Sequence, residues 1–313
     1  MNNTRRLTEG AVLLAIFAVL LLITIFVPFI GTISIWFLPL PFIYFAWKND
    51  VKNITVFLIA SFFITLIVGT IKAIPLAFLF GLTGVTLGYF VQKRKSRIVT
   101  LMAGSMAFLI SLIIIYGAAV ILFKINFLAD SMDLLKKSLD TSFQLLESMG
   151  KEKDAEKLKS QVELMLNMFD LLLPSLLVMS SFTLVFFLQL IHFPILKRFG
   201  LNPVKWTPFR NLSLPRSILW YYIITIILSI LLKPEEGSYV YLAIWNVAFI
   251  LQRLLVLQGL SLVYFVSHLK GWPLVIPIVV TVITLIQPLI LYIIMILGII
   301  DLGFEFRKRI FKK

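Results

Sequence analysis

Cysteine is absent from the 313-residue chain, which excludes disulfides, thiolate metal sites and cysteine nucleophiles. Histidine occurs twice, as His192 and His268, too few and too far apart to suggest a zinc site. No metal and no other cofactor is expected. Charge is scarce: 14% of residues are charged, against about 25% in soluble domains. The chain has no Gly-x-x-x-x-Gly-Lys-Ser/Thr phosphate loop, no His-Glu-x-x-His and no Gly-x-Ser-x-Gly. No pair of acids lies inside an apolar run to act as an acid–base couple. The sequence therefore predicts no ATPase, and no enzyme.

Apolar residues are what the chain has in excess, at 60%. Nine apolar segments stand out, at roughly 9–30, 33–47, 54–71, 74–91, 98–123, 171–195, 218–232, 239–267 and 274–300. A run of about 20 apolar residues crosses the hydrocarbon core as a helix, because a helix pairs its backbone amides internally. The runs are continuous rather than alternating, which argues against a transmembrane barrel. The expected fold is all-α, a polytopic transmembrane helical bundle of eight or nine membrane segments. The first segment follows Arg5 and Arg6 and lacks a small-x-small cleavage site, so it reads as a retained helix. Pro39 and Pro41 predict a kink in the second segment.

The formal charge is +14. Most of it sits in short loops, which points to orientation in a membrane and contact with anionic lipid at the cytoplasmic face. Nucleic acid is not the expected partner. Arg5, Arg6, the loop 92–97 and the acid-free basic loop 197–217 place the amino terminus in the cytoplasm of a plasma-membrane protein. The last segment is the exception. Nine full crossings would put the basic tail 305–313 outside, whereas its five bases predict inside. A broken or re-entrant helix at Gln252-Arg253 or at Gln287-Pro288 would reconcile the two.

Residues 124–170 form the one large polar insertion, with nine of the chain's 15 acids and seven of its 29 bases. Leu128, Met132, Leu135, Leu139, Leu146 and Met149 recur at helical spacing, as do Leu158, Val162, Met165 and Phe169 after Gly150. This predicts an extracytoplasmic amphipathic helical hairpin whose second arm runs into the sixth span. The chain then divides into a transmembrane bundle over 1–123, the hairpin over 124–170, and carboxy-terminal membrane helices over 171–313. The hairpin is either self-packed over the membrane surface or a docking site for a partner.

Polar groups inside membrane helices are the leads to a site, since a charge at mid-bilayer costs at least ~2.5–3.5 kcal/mol. Arg253, with Asn246 seven residues earlier and Gln258 nearby, marks a tentative pocket for an anionic ligand. The other reading is a broken helix from which Arg253 snorkels to an interface. Gln189 and His192 read as pins between helices, with a ligand role as the alternative, and Asp301 as the partner of Arg307. Gly81, Gly84 and Gly88 form a stripe for close helix approach, and Ala11, Ala15 and Ala18 form another. Each stripe serves internal packing or contact with another subunit.

The stretches "GIIDLGFEFRKR", "LQGLSLVYFVSHLKG" and "LNPVKWTPFRNLSLPR" resemble the YybS-like family of Gram-positive membrane proteins, a domain of unknown function. That resemblance brings no catalytic residue with it. "TRRLTEGAVLLAIFAVL", "LPLPFIYFAWKNDVKN" and "IPLAFLFGLTGVTLGYFVQKRKSR" resemble substrate-binding S components of energy-coupling-factor transporters. This second resemblance implies a binding bundle that packs through Ala11, Ala15 and Ala18 against a transmembrane coupling subunit, with ATPases supplied in trans. The insertion 124–170 and the spans after 218 lie beyond a minimal S component. Two functions follow. A substrate-binding or transport-related subunit predicts a pocket among the first six helices. A non-transporting scaffold or regulator of the envelope predicts partners on the hairpin or the basic loops.

Overall fold

The computed structural model describes residues 3–307, so most of the basic tail, 308–313, lies outside the described residues. Among the described residues every regular element is helical. In chain order the α-helices are α1 (Asn3–Phe26), α2 (Ile30–Ser34), α3 (Pro39–Lys48), α4 (Val51–Gly69), α5 (Ile74–Gln92) and α6 (Arg97–Phe123). They continue as α7 (Phe127–Ser148), α8 (Glu152–Lys197), α9 (Ser217–Leu232), α10 (Tyr239–Leu269), α11 (Val275–Ile286) and α12 (Pro288–Phe304). Seven helical stretches are long and apolar enough to cross a membrane, and an eighth is formed if α11 and α12 count as one bent span. The apolar helix α9 is shorter, at 16 residues.

All nine expected segments are helical, and their boundaries follow capping chemistry. Ser96 accepts from the Val99 amide to start α6, and Ser238 from the Tyr241 amide to start α10. Proline opens α3 and α12, where its missing N–H leaves no intrahelical bond unmade. The second segment is divided into α2, a 3-10 turn over Ile35–Phe37 and α3, as Pro39 and Pro41 predict. Helix α8 carries the second arm of the polar insertion straight into the sixth apolar segment over 46 residues. The turn between α7 and α8 places Gly150 at φ 75, a left-handed conformation that glycine adopts at no steric cost.

The chain forms two compact units, residues 1–159 with 177–206, and residues 160–176 with 207–313. They cut the chain at other places than the composition-based division does. The first unit is centred on aromatic packing. Phe42 meets Phe17 and Phe57 edge to face, at 5.0 and 5.4 Å between ring centroids, and Phe45 stacks on Phe57 at 4.2 Å. Glycines bring α3 and α5 together. A Cβ on Gly84 would lie 2.8 Å from the Pro39 carbonyl oxygen, and one on Gly88 would run into the Ile43 carbonyl. The glycine stripe is thus used inside the unit. Some buried hydroxyls are satisfied on their own helices, as with Thr65 on the Ser61 carbonyl at 2.7 Å and Thr83 on that of Leu79 at 2.7 Å. Of the expected apolar face along α7, Leu128, Met132, Leu139 and Leu146 are half-covered, whereas Leu135 and Met149 are exposed; Phe143 is buried, and Leu134 and Leu145 are exposed.

In the second unit α9 runs antiparallel to α10, because Leu214 meets Gln258 and Tyr222 meets Gln252. Helix α12 runs parallel to α10: Gln258 meets Asp301 and Ser261 meets Arg307. The seam between them has no side chains at Gly259 and Gly298. A Cβ at either would overlap a carbonyl of the other helix, that of Ile294 or of Leu255.

The break in the final third lies at Gln287-Pro288, and Gln252-Arg253 sits within the unbroken α10. Gln287 is extended and the chain bends by 118° there. A residue before proline is pushed out of the helical region, which is why α11 stops where it does. The bend returns the end of α12 to the 209–214 segment, where Arg307 bonds the Arg210 carbonyl at 2.9 Å.

Candidate functional site

The three candidates on α10 are held in three different surroundings. Asn246 is buried, and its Nδ2 donates to the carbonyls of Leu171 (2.7 Å) and Leu242 (2.8 Å). Its Oδ1 accepts from the Ser175 amide at 2.8 Å. Leu171 and Ser175 are the i, i+4 pair that flanks Pro174, where proline disturbs the hydrogen-bond ladder of α8. The Asn246 carboxamide therefore splints that turn. Gln258 lies about 18 Å further along the helix axis, at ~1.5 Å per residue. Its Oε1 accepts from the Leu214 amide at 2.9 Å and its Nε2 donates to Asp301 Oδ2 at 2.6 Å. Arg253 is half-buried, with its guanidinium 4.5 Å from the Phe249 ring centroid, a cation–π contact within its own helix.

The polar centre of the second unit is built around Asp301 and Arg307. Arg307 Nε donates to Asp301 Oδ2 at 2.9 Å, Nη1 to the Arg210 carbonyl at 2.9 Å, and Nη2 to Ser261 Oγ at 3.0 Å. The Ser261 hydroxyl lies 2.7 Å from the Phe209 carbonyl and 2.9 Å from that of Leu212. Arg307 also lies over the Phe265 ring, at 5.3 Å. Asp301 is 5% exposed, so this is a buried charge held by a charge-assisted donor and an amide. The network ties the 209–214 segment, α10 and α12 together. Its Asp301–Arg307 pair was legible at six-residue spacing. Ser261, Gly259 and Gly298 carried no signal in the sequence, because their partners lie 35 to 52 residues away.

In the first unit Arg6, Lys48 and Lys93 line one cleft, and Arg97 opens α6 four residues after Lys93. Arg97 donates from Nε to the Val204 carbonyl at 2.8 Å and stacks over the rings of Phe193 (4.2 Å) and Trp206 (5.6 Å). Beside it, His192 Nδ1 lies 2.6 Å from the Leu188 carbonyl, while Gln189 Nε2 is buried without a partner among the described residues. Ala11 and Ala15 are exposed on α1 and Ala18 is half-buried, so the alanine stripe lies outside the unit's core. Among the described residues no three His, Asp or Glu side chains lie together as a metal site.

Membrane-length apolar helices in this number, with exposed apolar faces and buried polar groups paired helix to helix, define a multi-pass integral membrane protein. Over residues 15–302 the chain matches the family described as "Predicted membrane protein (DUF2232)", and it belongs to that family. It is 31% identical over 310 residues to the "Uncharacterized protein YybS" of Bacillus subtilis (strain 168), covering 99% of this chain and 100% of that one. No solved structure matches. The likeness to S components gains nothing from these matches and rests on the quoted segments alone.

Proposed function

We propose that the chain is a non-catalytic membrane scaffold or regulator of the cell envelope, working by holding partners rather than by carrying a substrate. One observation carries this reading. The polar side chains that would line a pocket, Asn246 and Gln258, are committed to holding helices together, and Arg253 stands apart from both. The aromatic filling of the first unit supports it, because Phe17, Phe42 and Phe57 occupy the centre of that bundle. The exposed Leu134 and Leu145 on α7 add apolar surface for a partner. A second reading, a substrate-binding or transport-related subunit, is favoured by one feature. Ala11 and Ala15 are exposed, with Ala18 beside them, where a coupling subunit served by ATPases in trans would pack.

Purification from native membrane followed by mass spectrometry separates the two. The scaffold reading expects envelope proteins without coupling-factor ATPases, and the same partner set for Arg253→Ala. Recovery of coupling-factor ATPases together with a small bound molecule would sink it.

The reading includes a plasma-membrane location with the amino terminus in the cytoplasm and the 124–170 hairpin outside. Convergence of Arg6, Lys48, Lys93 and Arg97 on the same ends of α1, α3, α5 and α6 supports it. The absence of cysteine makes the test clean. In intact cells a membrane-impermeant maleimide is expected to label Ser142→Cys and to spare Lys95→Cys until lysis. The reverse pattern would invert the orientation.

A further inference from the structure

The basic end of the first unit holds an open polar cleft of about 620 Å³. Three elements form it: the start of α1, the junction of α3 with α4, and the last turn of α5. The close approach at Gly84 and Gly88 sets α3 against α5, so that Gln92 Nε2 donates to the Asn49 carbonyl at 2.8 Å. Three cations line the cleft. Lys48 is fixed by Glu9 at 2.7 Å and lies 4.3 Å from the Tyr44 ring centroid. Arg6 approaches Asp50 at 3.6 Å, and Lys93 lies 5.5 Å from the Tyr89 ring centroid. Asp50 is the one acid in the lining and Glu9 pairs with Lys48 beside it, so three cations against two acids leave a net positive field that favours an anion.

Asn49 supplies the second observation. It is 3% exposed, and its Nδ2 donates to the Phe45 carbonyl at 2.9 Å. Its Oδ1 is buried without a donor among the described residues, in a residue that lines the cleft. Buried acceptors are rarely left unpaired, so this oxygen calls for a donor from an occupant.

We propose that the cleft binds an anionic phosphate ester bearing free hydroxyl groups, for which a glycerophosphate headgroup is the simplest case. Arg6, Lys48 and Lys93 take the phosphate, as charge-assisted donors do. Asn49 Oδ1 and the Asp50 carboxylate take the hydroxyl protons. A choline headgroup fits poorly, since it adds a cation and offers no donor. The same ester arrives either as a lipid headgroup, at the level where these membrane-length helices end, or as a soluble glycerol phosphate. The proposal does not depend on the scaffold reading.

The test uses the full chain reconstituted in phosphatidylcholine nanodiscs with equal minor amounts of phosphatidylglycerol and phosphatidic acid. After re-extraction into detergent, retained lipid is counted by mass spectrometry. In parallel, radiolabelled glycerol phosphate is titrated onto delipidated protein. Phosphatidylglycerol is expected to be retained severalfold over both other lipids, and to fall about tenfold in Arg6→Gln/Lys93→Gln, which removes two charged donors. Asn49→Leu is expected to erase the preference over phosphatidic acid while anion retention persists. Retention without glycerol phosphate binding assigns the site to lipid. Saturable glycerol phosphate binding that is lost in the double variant assigns it to the soluble ester. Equal retention of the two anionic lipids by the native chain, without saturable glycerol phosphate binding, overturns the proposal. So does retention unchanged in the double variant, or the absence of both retention and glycerol phosphate binding. Arg6 and Lys93 lie at the surface, so the double variant decides the matter even where Asn49→Leu fails to fold.

Discussion

Arg307→Ala is expected to destabilise the second unit by about 3–5 kcal/mol, the usual cost of removing one partner from a buried ion pair. Three losses combine. Asp301 is left at 5% exposure with only the Gln258 amide to answer it. The Arg210 carbonyl loses its donor, and Ser261 loses the guanidinium that bridges it to Asp301. Thermal unfolding in detergent measures the effect. Arg307→Lys is expected to recover only part of it, because an ammonium is a point charge and the guanidinium reaches three acceptors through a planar fork. Arg307→Ala combined with Asp301→Asn is expected to be more stable than Arg307→Ala alone, since no charge is then left unanswered. A melting temperature for Arg307→Ala equal to that of the native chain would falsify the account of this network.

The second large effect is steric. Gly259→Leu or Gly298→Leu forces a side chain onto the backbone of the facing helix, at the Ile294 or Leu255 carbonyl. Overpacking ordinarily costs about 1–3 kcal/mol, and more where the obstacle is backbone that has no rotamer to change. In a membrane the seam has little hydrophobic drive to compensate, because lipid is as apolar as leucine. Separation of α10 from α12 is therefore expected, read as a large drop in melting temperature together with loss of the Gln258–Asp301 contact. Gly117→Ala is the control. A Cβ there meets nothing within 4 Å, so the substitution is expected to be neutral or to gain up to ~1 kcal/mol from helix propensity. Equal effects at Gly117 and Gly259 would show that the seam is not the cause.

Much of the fold was legible because lipid enforces it. The apolar runs had to be helices, and proline marked the division of the second segment and the bend at Pro288. The Gly84–Gly88 spacing also carried its own meaning, since four residues return to the same helix face. The site was less legible. Asn246 and Gln258 were visible as buried polar groups, but the sequence did not say whether they face a ligand or a neighbour. The answer lies in Leu171, Ser175, Leu214 and Asp301, each 43 or more residues away in the chain. The Gly259–Gly298 seam was hidden for a related reason. One glycine on each of two helices makes no pattern within either. The cleft escaped notice because its residues come from three chain segments and look, one by one, like ordinary headgroup-facing loops.

The parallel course of α10 and α12 has an electrostatic consequence for Asp301. Peptide dipoles leave the carboxy end of a helix with roughly half a negative charge, where a carboxylate is disfavoured and a cation welcome. Asp301 sits in the last turn of α12, on the wrong side of that field, and α10 points its own negative end the same way. Arg307 therefore neutralises an end charge of the helix as well as a side chain. The two members of the pair are unequal: the arginine belongs to this place on field grounds alone, and the carboxylate is tolerated there because the arginine is present.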